Sequence, residues 1–216
     1  MQASLSPAQS APPTRAPASL TANPARSPGQ TVWLLALWLA GPGNLPLWQR
    51  MLSGGEVRWT AFMGLGLMIL GGTAALLSLL AWPRLLRPVA SLLVVMAALN
   101  SHYMWQYGVV IDTTMLANAL HTDAREVRDL LSWSLAGSLL LVAAPALGWL
   151  WHRPVAMGHA ASRLLPNGLG AVAGLVLAVG AALLTYQDLA SLMRNQKALR
   201  FMINPLNTVY AAGKLA

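Results

Sequence analysis

The sequence predicts an all-α membrane protein with five transmembrane helices and surface helices on one side. Three observations carry that expectation. Of 216 residues, 56% are apolar and only 9% are charged, against about 25% charged in an ordinary soluble domain. The mean hydropathy is +0.54. Finally, the few charges are set between uncharged stretches of roughly 20 residues, the length that crosses a hydrocarbon core. The 14 Lys and Arg against 6 Asp and Glu give a net charge of +8. A nucleic-acid binder would cluster such cations on one face, whereas here they are scattered. The chain has no cysteine, which excludes disulfides, thiolate nucleophiles and Cys-based metal sites.

Residues 1–30 hold six prolines among Ala, Ser and Thr, with Arg15 and Arg26 the only charges. Such a tract buries too little apolar surface to offset its ordering entropy and reads as a disordered tail. It makes a poor signal peptide, because the charged region is long and the apolar run after Val32 leads into Gly41-Pro42-Gly43-Asn44. Residues 31–187 form the five-span domain. The first span, 31–52, carries Gly41, Pro42, Gly43 and Pro46 in its middle, which predict a kink or a break. The second, 59–82, has no ionisable side chain. The third starts near Leu85 and turns polar after Leu99. The fourth covers 130–151 and the fifth 164–186. Gly170 and Gly174 form a GxxxG pair, and Gly64, Gly66, Gly71 and Gly72 thin the second span, so these two helices are expected to pack closely.

An odd number of spans puts the termini on opposite sides. The two compact loops, 82–88 and 152–165, carry arginine and no acid. Short-loop arginine marks the inner side, which places the N-terminus inside. The loop 104–129 and the segment 188–216 then lie outside with five of the six acids, and the sixth, Glu56, lies in the outer loop between the first two spans. No charge sits at a span centre and the spans do not pair into inverted halves, which argues against an ion-coupled transporter.

The outer loop is the informative stretch. Asp112 can cap a short helix in which Met115, Leu116, Ala119 and Leu120 make an apolar strip against the bilayer surface. Asn118, Thr122 and Glu126 fall at i, i+4 and i+8. On one helix they form a polar face able to bind the ammonium and phosphate of a zwitterionic lipid headgroup. A second reading is open at the same residues: Asp123 with Glu126 fits a capping box that starts a new helix, leaving Thr122 at the junction. In the segment 188–204, Leu189, Leu192, Met193, Leu199 and Ile203 recur at helical spacing, while Arg194, Lys197 and Arg200 share the other side. That predicts one amphipathic surface helix or a solvated connector, ended by Asn204-Pro205. His102, His121, His152 and His159 lack the spacing of a zinc motif. His102, beside Tyr103 at the outer end of the third span, reads as an interfacial residue.

Loop and tail together resemble a known family. Tyr107-Gly108, the run from Ile111 to Leu116, Asn118-Ala119-Leu120 and Thr122-Asp123 resemble the first outer loop of the phosphoethanolamine–lipid A transferases, which include the mobile colistin-resistance enzymes. Arg194, the run from Lys197 to Arg200, Asn204-Pro205 and the run from Tyr210 to Ala216 resemble the stretch after that family's fifth helix. The resemblance covers roughly residues 31–216. It implies a bacterial inner-membrane protein whose five-helix domain precedes a zinc-dependent periplasmic domain. There, a threonine takes phosphoethanolamine from phosphatidylethanolamine, releases diacylglycerol and passes the group to a lipid A phosphate, weakening polymyxin binding. It also implies that Asn118, Thr122 and Glu126 line the donor-lipid cavity, which favours the lipid-site reading over the capping one, although both roles can coexist.

The family continues where this chain reaches Gly213-Lys214-Leu215-Ala216. The expectation is therefore a membrane-anchoring, phosphatidylethanolamine-binding domain with residues 188–216 as a periplasmic connector. No catalytic or metal residue is expected within the chain. Zinc belongs to a catalytic domain outside it, and transferase activity is not expected from the chain alone. The alternative is a non-enzymatic polytopic scaffold or small transporter.

Overall fold

The computed structural model describes residues 25–53, 58–108 and 132–215. The described residues form eight helices and short 3-10 turns; an isolated bridge between Arg26 and Val155 is the extended pairing among them. The helices are α1 (Pro28–Ala40), α2 (Leu45–Ser53), α3 (Trp59–Leu79), α4 (Leu86–Tyr107), α5 (Trp133–His152), α6 (Leu164–Leu184), α7 (Tyr186–Asn195) and α8 (Leu206–Leu215). By length and composition α3, α5 and the run Ala161–Leu184 can cross a membrane.

The tail boundary at residue 30 moves. Ser27 caps α1, its hydroxyl accepting from the Gln30 N–H, and Pro28 occupies the first turn, where its missing N–H costs nothing. Residues 1–24 lie outside the described residues. The first span is broken as expected. Helix α1 stops at Gly41, a 3-10 turn runs Pro42–Asn44, and α2 follows. Thirteen residues of helix cover only about 20 Å, so α1 alone is shorter than a hydrocarbon core.

Helix α3 is the hub. It packs most tightly on α6, through the small residues the sequence singled out. A Cβ added to Gly174 would stand 2.6 Å from the Gly71 carbonyl oxygen, and one added to Gly71 would stand 2.5 Å from the Gly174 oxygen. Gly170 lies against the Ser78 hydroxyl and Gly64 against Thr185. Lipid gives no hydrophobic drive for helix association, so such close backbone contact supplies the adhesion. Helices α1, α3, α4 and α5 share one apolar core, with Leu35, Leu39, Leu77, Val94 and Leu150 essentially fully buried.

Helix α5 contains a π turn at Leu139–Ala143 directly before Pro145. Proline has no N–H for the Leu141 carbonyl and its ring crowds it, so the ladder widens there. The Trp38 indole of α1 donates to the Val142 carbonyl inside this turn at 2.9 Å. Helix α6 presents Leu165, Leu169, Val172, Val176, Val179 and Leu183 as an exposed apolar stripe, as a lipid-facing helix must.

The segment after α6 departs from the expectation of one surface helix. Helix α7 ends at Asn195, Gln196 turns the backbone out of helix, and a 3-10 run Lys197–Phe201 follows. Arg194, Lys197 and Arg200 therefore do not share one continuous face. The break is explained by burial: Leu199 and Met202 become 0% and 5% exposed in a core with Leu47, Leu65 and Leu189. Tertiary packing overrides the local helical period.

Candidate functional site

Contacts sort the loops into two ends. At one end Arg26 pairs with Val155, Arg87 reaches the Arg153 carbonyl, and Asn167 donates to the Ala81 carbonyl. At the other end Arg58 and Thr60 meet Asp188, and His102 meets Ser138. The loop holding Asn118, Thr122 and Glu126 leaves α4 and enters α5 at this second end. Those three residues themselves lie outside the described residues.

The two stems of the loop form its frame. Helix α4 ends at Tyr107, and Gly108 adopts φ +64°, the left-handed cap that glycine takes without a Cβ penalty. Tyr103 and Tyr107 stack at 5.9 Å, and His102 meets Tyr103 edge-on at 5.4 Å. On the far side Ser132 caps α5 by accepting from the Leu135 N–H. Between the two stems lies a cleft of about 330 Å³, lined on its polar side by Ser101, His102, Gln106, Ser134 and Ser138.

His102 is 4% exposed, more deeply placed than an interfacial residue. Its Nδ1 lies 2.8 Å from the Ser138 hydroxyl, which itself donates to the Ser134 carbonyl at 3.0 Å. The Nε2 of the same ring is buried without a hydrogen-bond partner among the described residues.

Beside the cleft runs a buried polar latch that the sequence pattern did not single out. The Asn44 amide donates at 2.7 Å to both the Leu39 and the Asn204 carbonyls, and its Oδ1 accepts from the Asn204 N–H at 2.8 Å. Asn100 donates to the Asn204 Oδ1 at 3.0 Å and to the Thr208 hydroxyl. Ser101 donates to the Gly43 carbonyl at 2.8 Å. Asn44, Asn100, Ser101, Asn204 and Thr208 are all buried. The latch ties the α1–α2 break, the C-terminal part of α4 and the start of α8 into one unit. The break frees backbone carbonyls, and buried polar groups need partners, so asparagines in otherwise apolar spans were the available signal.

The same end is basic near α7. Arg50, Ser53, Gln196 and Lys197 line an open cleft of about 440 Å³. Asp188 is the one acid among the described residues, and Arg58 pairs with it at 3.1 Å on the surface. Among the described residues no three His, Asp or Glu side chains converge.

Known proteins share both the sequence and the fold. The family model described as phosphoethanolamine transferase EptA/EptB matches residues 69–216, more than half of the chain. Phosphatidylethanolamine transferase Mcr-2 of Escherichia coli is 30% identical over 190 residues, covering 85% of this chain and 34% of that protein. Phosphatidylethanolamine transferase Mcr-1 of Escherichia coli is 37% identical over 136 residues, 61% of this chain and 24% of that protein. Among solved structures, the integral membrane protein lipooligosaccharide phosphoethanolamine transferase A from Neisseria meningitidis shares the fold. Its TM-score is 0.77 at 21% identity, over 88% of this chain and 36% of that one. The chain thus spans about a third of the length of these relatives. Apolar membrane helices, a small-residue helix pair and a matched family model agree: the chain belongs to the phosphoethanolamine transferase EptA/EptB family, as its membrane domain.

Proposed function

We propose that this domain holds the donor phospholipid, phosphatidylethanolamine, for a phosphoethanolamine transfer reaction whose acceptor is lipid A. The observation that carries the reading is the family match over residues 69–216, which takes in both the outer loop and the connector. Asn118 and Thr122 supply hydrogen bonds to the headgroup, and Glu126 supplies the carboxylate that an ammonium requires. Five spans with an inner N-terminus put this loop and residues 188–216 on the periplasmic side. The arginine-only loops at the opposite end support that orientation. The latch at Asn204 supports the connector role, since it fixes where the chain leaves the bundle. Zinc and the catalytic threonine belong to the remainder of the relatives' length.

The test is lipid binding by the chain in phosphatidylcholine nanodiscs. Short-chain phosphatidylethanolamine is expected to bind saturably, and Glu126→Ala to weaken it about tenfold, the loss of one charge-assisted pair. Equal binding by wild type, Asn118→Ala and Glu126→Ala would reject the loop as the headgroup site.

A further inference from the structure

The end of the molecule opposite the loop carries a set of arginines that the proposed reaction does not use. Arg26, Arg84, Arg87, Arg153 and Arg163 gather there. None meets a carboxylate among the described residues, because Asp188 lies at the other end. Three of the cations are held in place by neutral partners. Arg26 stacks on Trp149 at 3.9 Å and donates to its carbonyl, and Arg163 donates to Asn167 at 3.1 Å. Arg87 lies 5.3 Å from the Trp151 ring and donates to the Arg153 carbonyl. The Trp151 indole is itself fixed by Ser91 at 3.0 Å. The Nε groups of Arg153 and Arg163 are buried without an acceptor among the described residues. A guanidinium fixed this way without a carboxylate partner, as Arg87 is, has little entropy left to lose on binding an anion.

A cleft of about 380 Å³ opens beside two of them, Arg84 and Arg87. Arg84 and Arg87 stand on one wall at the start of α4, and Trp151, Val155 and Met157 form the other. Arg84 sits at φ +71°, a left-handed conformation unusual outside glycine. The positive end of the 22-residue α4 adds to the field there. The lining therefore joins cations to apolar and aromatic surface, the combination met by a phosphodiester carrying acyl chains.

We infer that this cleft binds the headgroup of an anionic glycerophospholipid, with Arg84 and Arg87 on its phosphate. A zwitterionic lipid fits poorly. Its ammonium would face guanidinium groups with no carboxylate nearby among the described residues. The two ends then sort lipids by charge: zwitterionic donor at the acid-bearing loop, anionic lipid at the arginine end. The geometry of this end supports the site independently of the transferase reading.

The experiment is native mass spectrometry of the full chain in detergent, titrated separately with phosphatidylglycerol, phosphatidylcholine and phosphatidylethanolamine of identical acyl chains. The expected result is one phosphatidylglycerol held at least about tenfold tighter than either zwitterionic lipid, weakened by added salt. Arg84→Gln with Arg87→Gln should lower that affinity about 25-fold, about fivefold for each cation. The matched pair Arg50→Gln with Lys197→Gln at the other end should leave it unchanged. Equal affinity for all three lipids in wild type would overturn the proposal without any variant. So would undiminished phosphatidylglycerol binding by the Arg84/Arg87 variant. Displacement of the lipid by millimolar inorganic phosphate would also overturn it, by reducing the site to a phosphate pocket that ignores the chains.

Discussion

Gly174 shows what a single residue decides. Its missing side chain lets α6 touch α3 backbone to backbone, and any Cβ there would stand 2.6 Å from a carbonyl oxygen. Gly174→Ala is expected to destabilise the domain by about 1–3 kcal/mol, the usual range for overpacking. Gly180→Ala, where a Cβ meets nothing within 4 Å, should be neutral or slightly stabilising. Thermal unfolding of the two variants in one detergent checks the contrast. Asn204→Ala keeps the backbone groups that hold Asn44 but removes the Oδ1 that accepts from Asn100. Leaving an Asn100 N–H buried and unpaired should cost about 1–3 kcal/mol, read as a lower melting temperature and faster hydrogen exchange at the start of α8. The glycine contact was legible in the sequence because GxxxG has a fixed helical spacing. The asparagine latch was not, because the bonds that join its segments span 58 to 160 positions, and no periodicity links residues that only the fold brings together. His102 falls between the two cases: its end of the helix was legible, but its burial depends on Ser138 from another span.

At the scale of elements, composition located the helices and packing corrected their ends. Gly41, Pro42 and Gly43 announced the break between α1 and α2, since proline and glycine act locally. The break at Gln196 had no such marker. It arises because Leu199 and Met202 reach a core built by α2 and α3. Helix α6 gives the sharpest test of which surface meets lipid. Val176 is 66% exposed in the middle of its apolar stripe. Val176→Lys should cost about 2.5–3.5 kcal/mol of insertion free energy, the penalty for a cation at a helix centre. A glycosylation-based insertion assay reads this directly, and unchanged insertion would mean that this face does not contact hydrocarbon.

For the whole molecule, charge is the organising variable. The surplus of cations given by composition resolves into two differently built ends. One holds arginines on tryptophan faces and carbonyls; the other holds Asp188 with Arg58 and the stems of the acid-bearing loop. Because the chain contains no cysteine, sidedness can be read with single cysteines in a clean background. Ser162→Cys at the arginine end should react with impermeant maleimide only from the cytoplasmic side. Ser53→Cys should react only from the periplasmic side. The reverse pattern would invert the orientation. The candidate donor site rests on a spacing of three polar residues in the sequence, and those residues lie outside the described ones. The frame that carries the loop, from the Gly108 cap to the Ser132 cap, required the structure. The most direct test of a donor-lipid site in this loop is photocrosslinking with a phosphatidylethanolamine analogue bearing its reactive group on the headgroup, with peptide mapping of the products. Adducts are expected to concentrate in residues 109–131 and to be lost with Glu126→Ala. Adducts spread along the lipid-facing stripe of α6, or gathered at the arginine end, would contradict such a site.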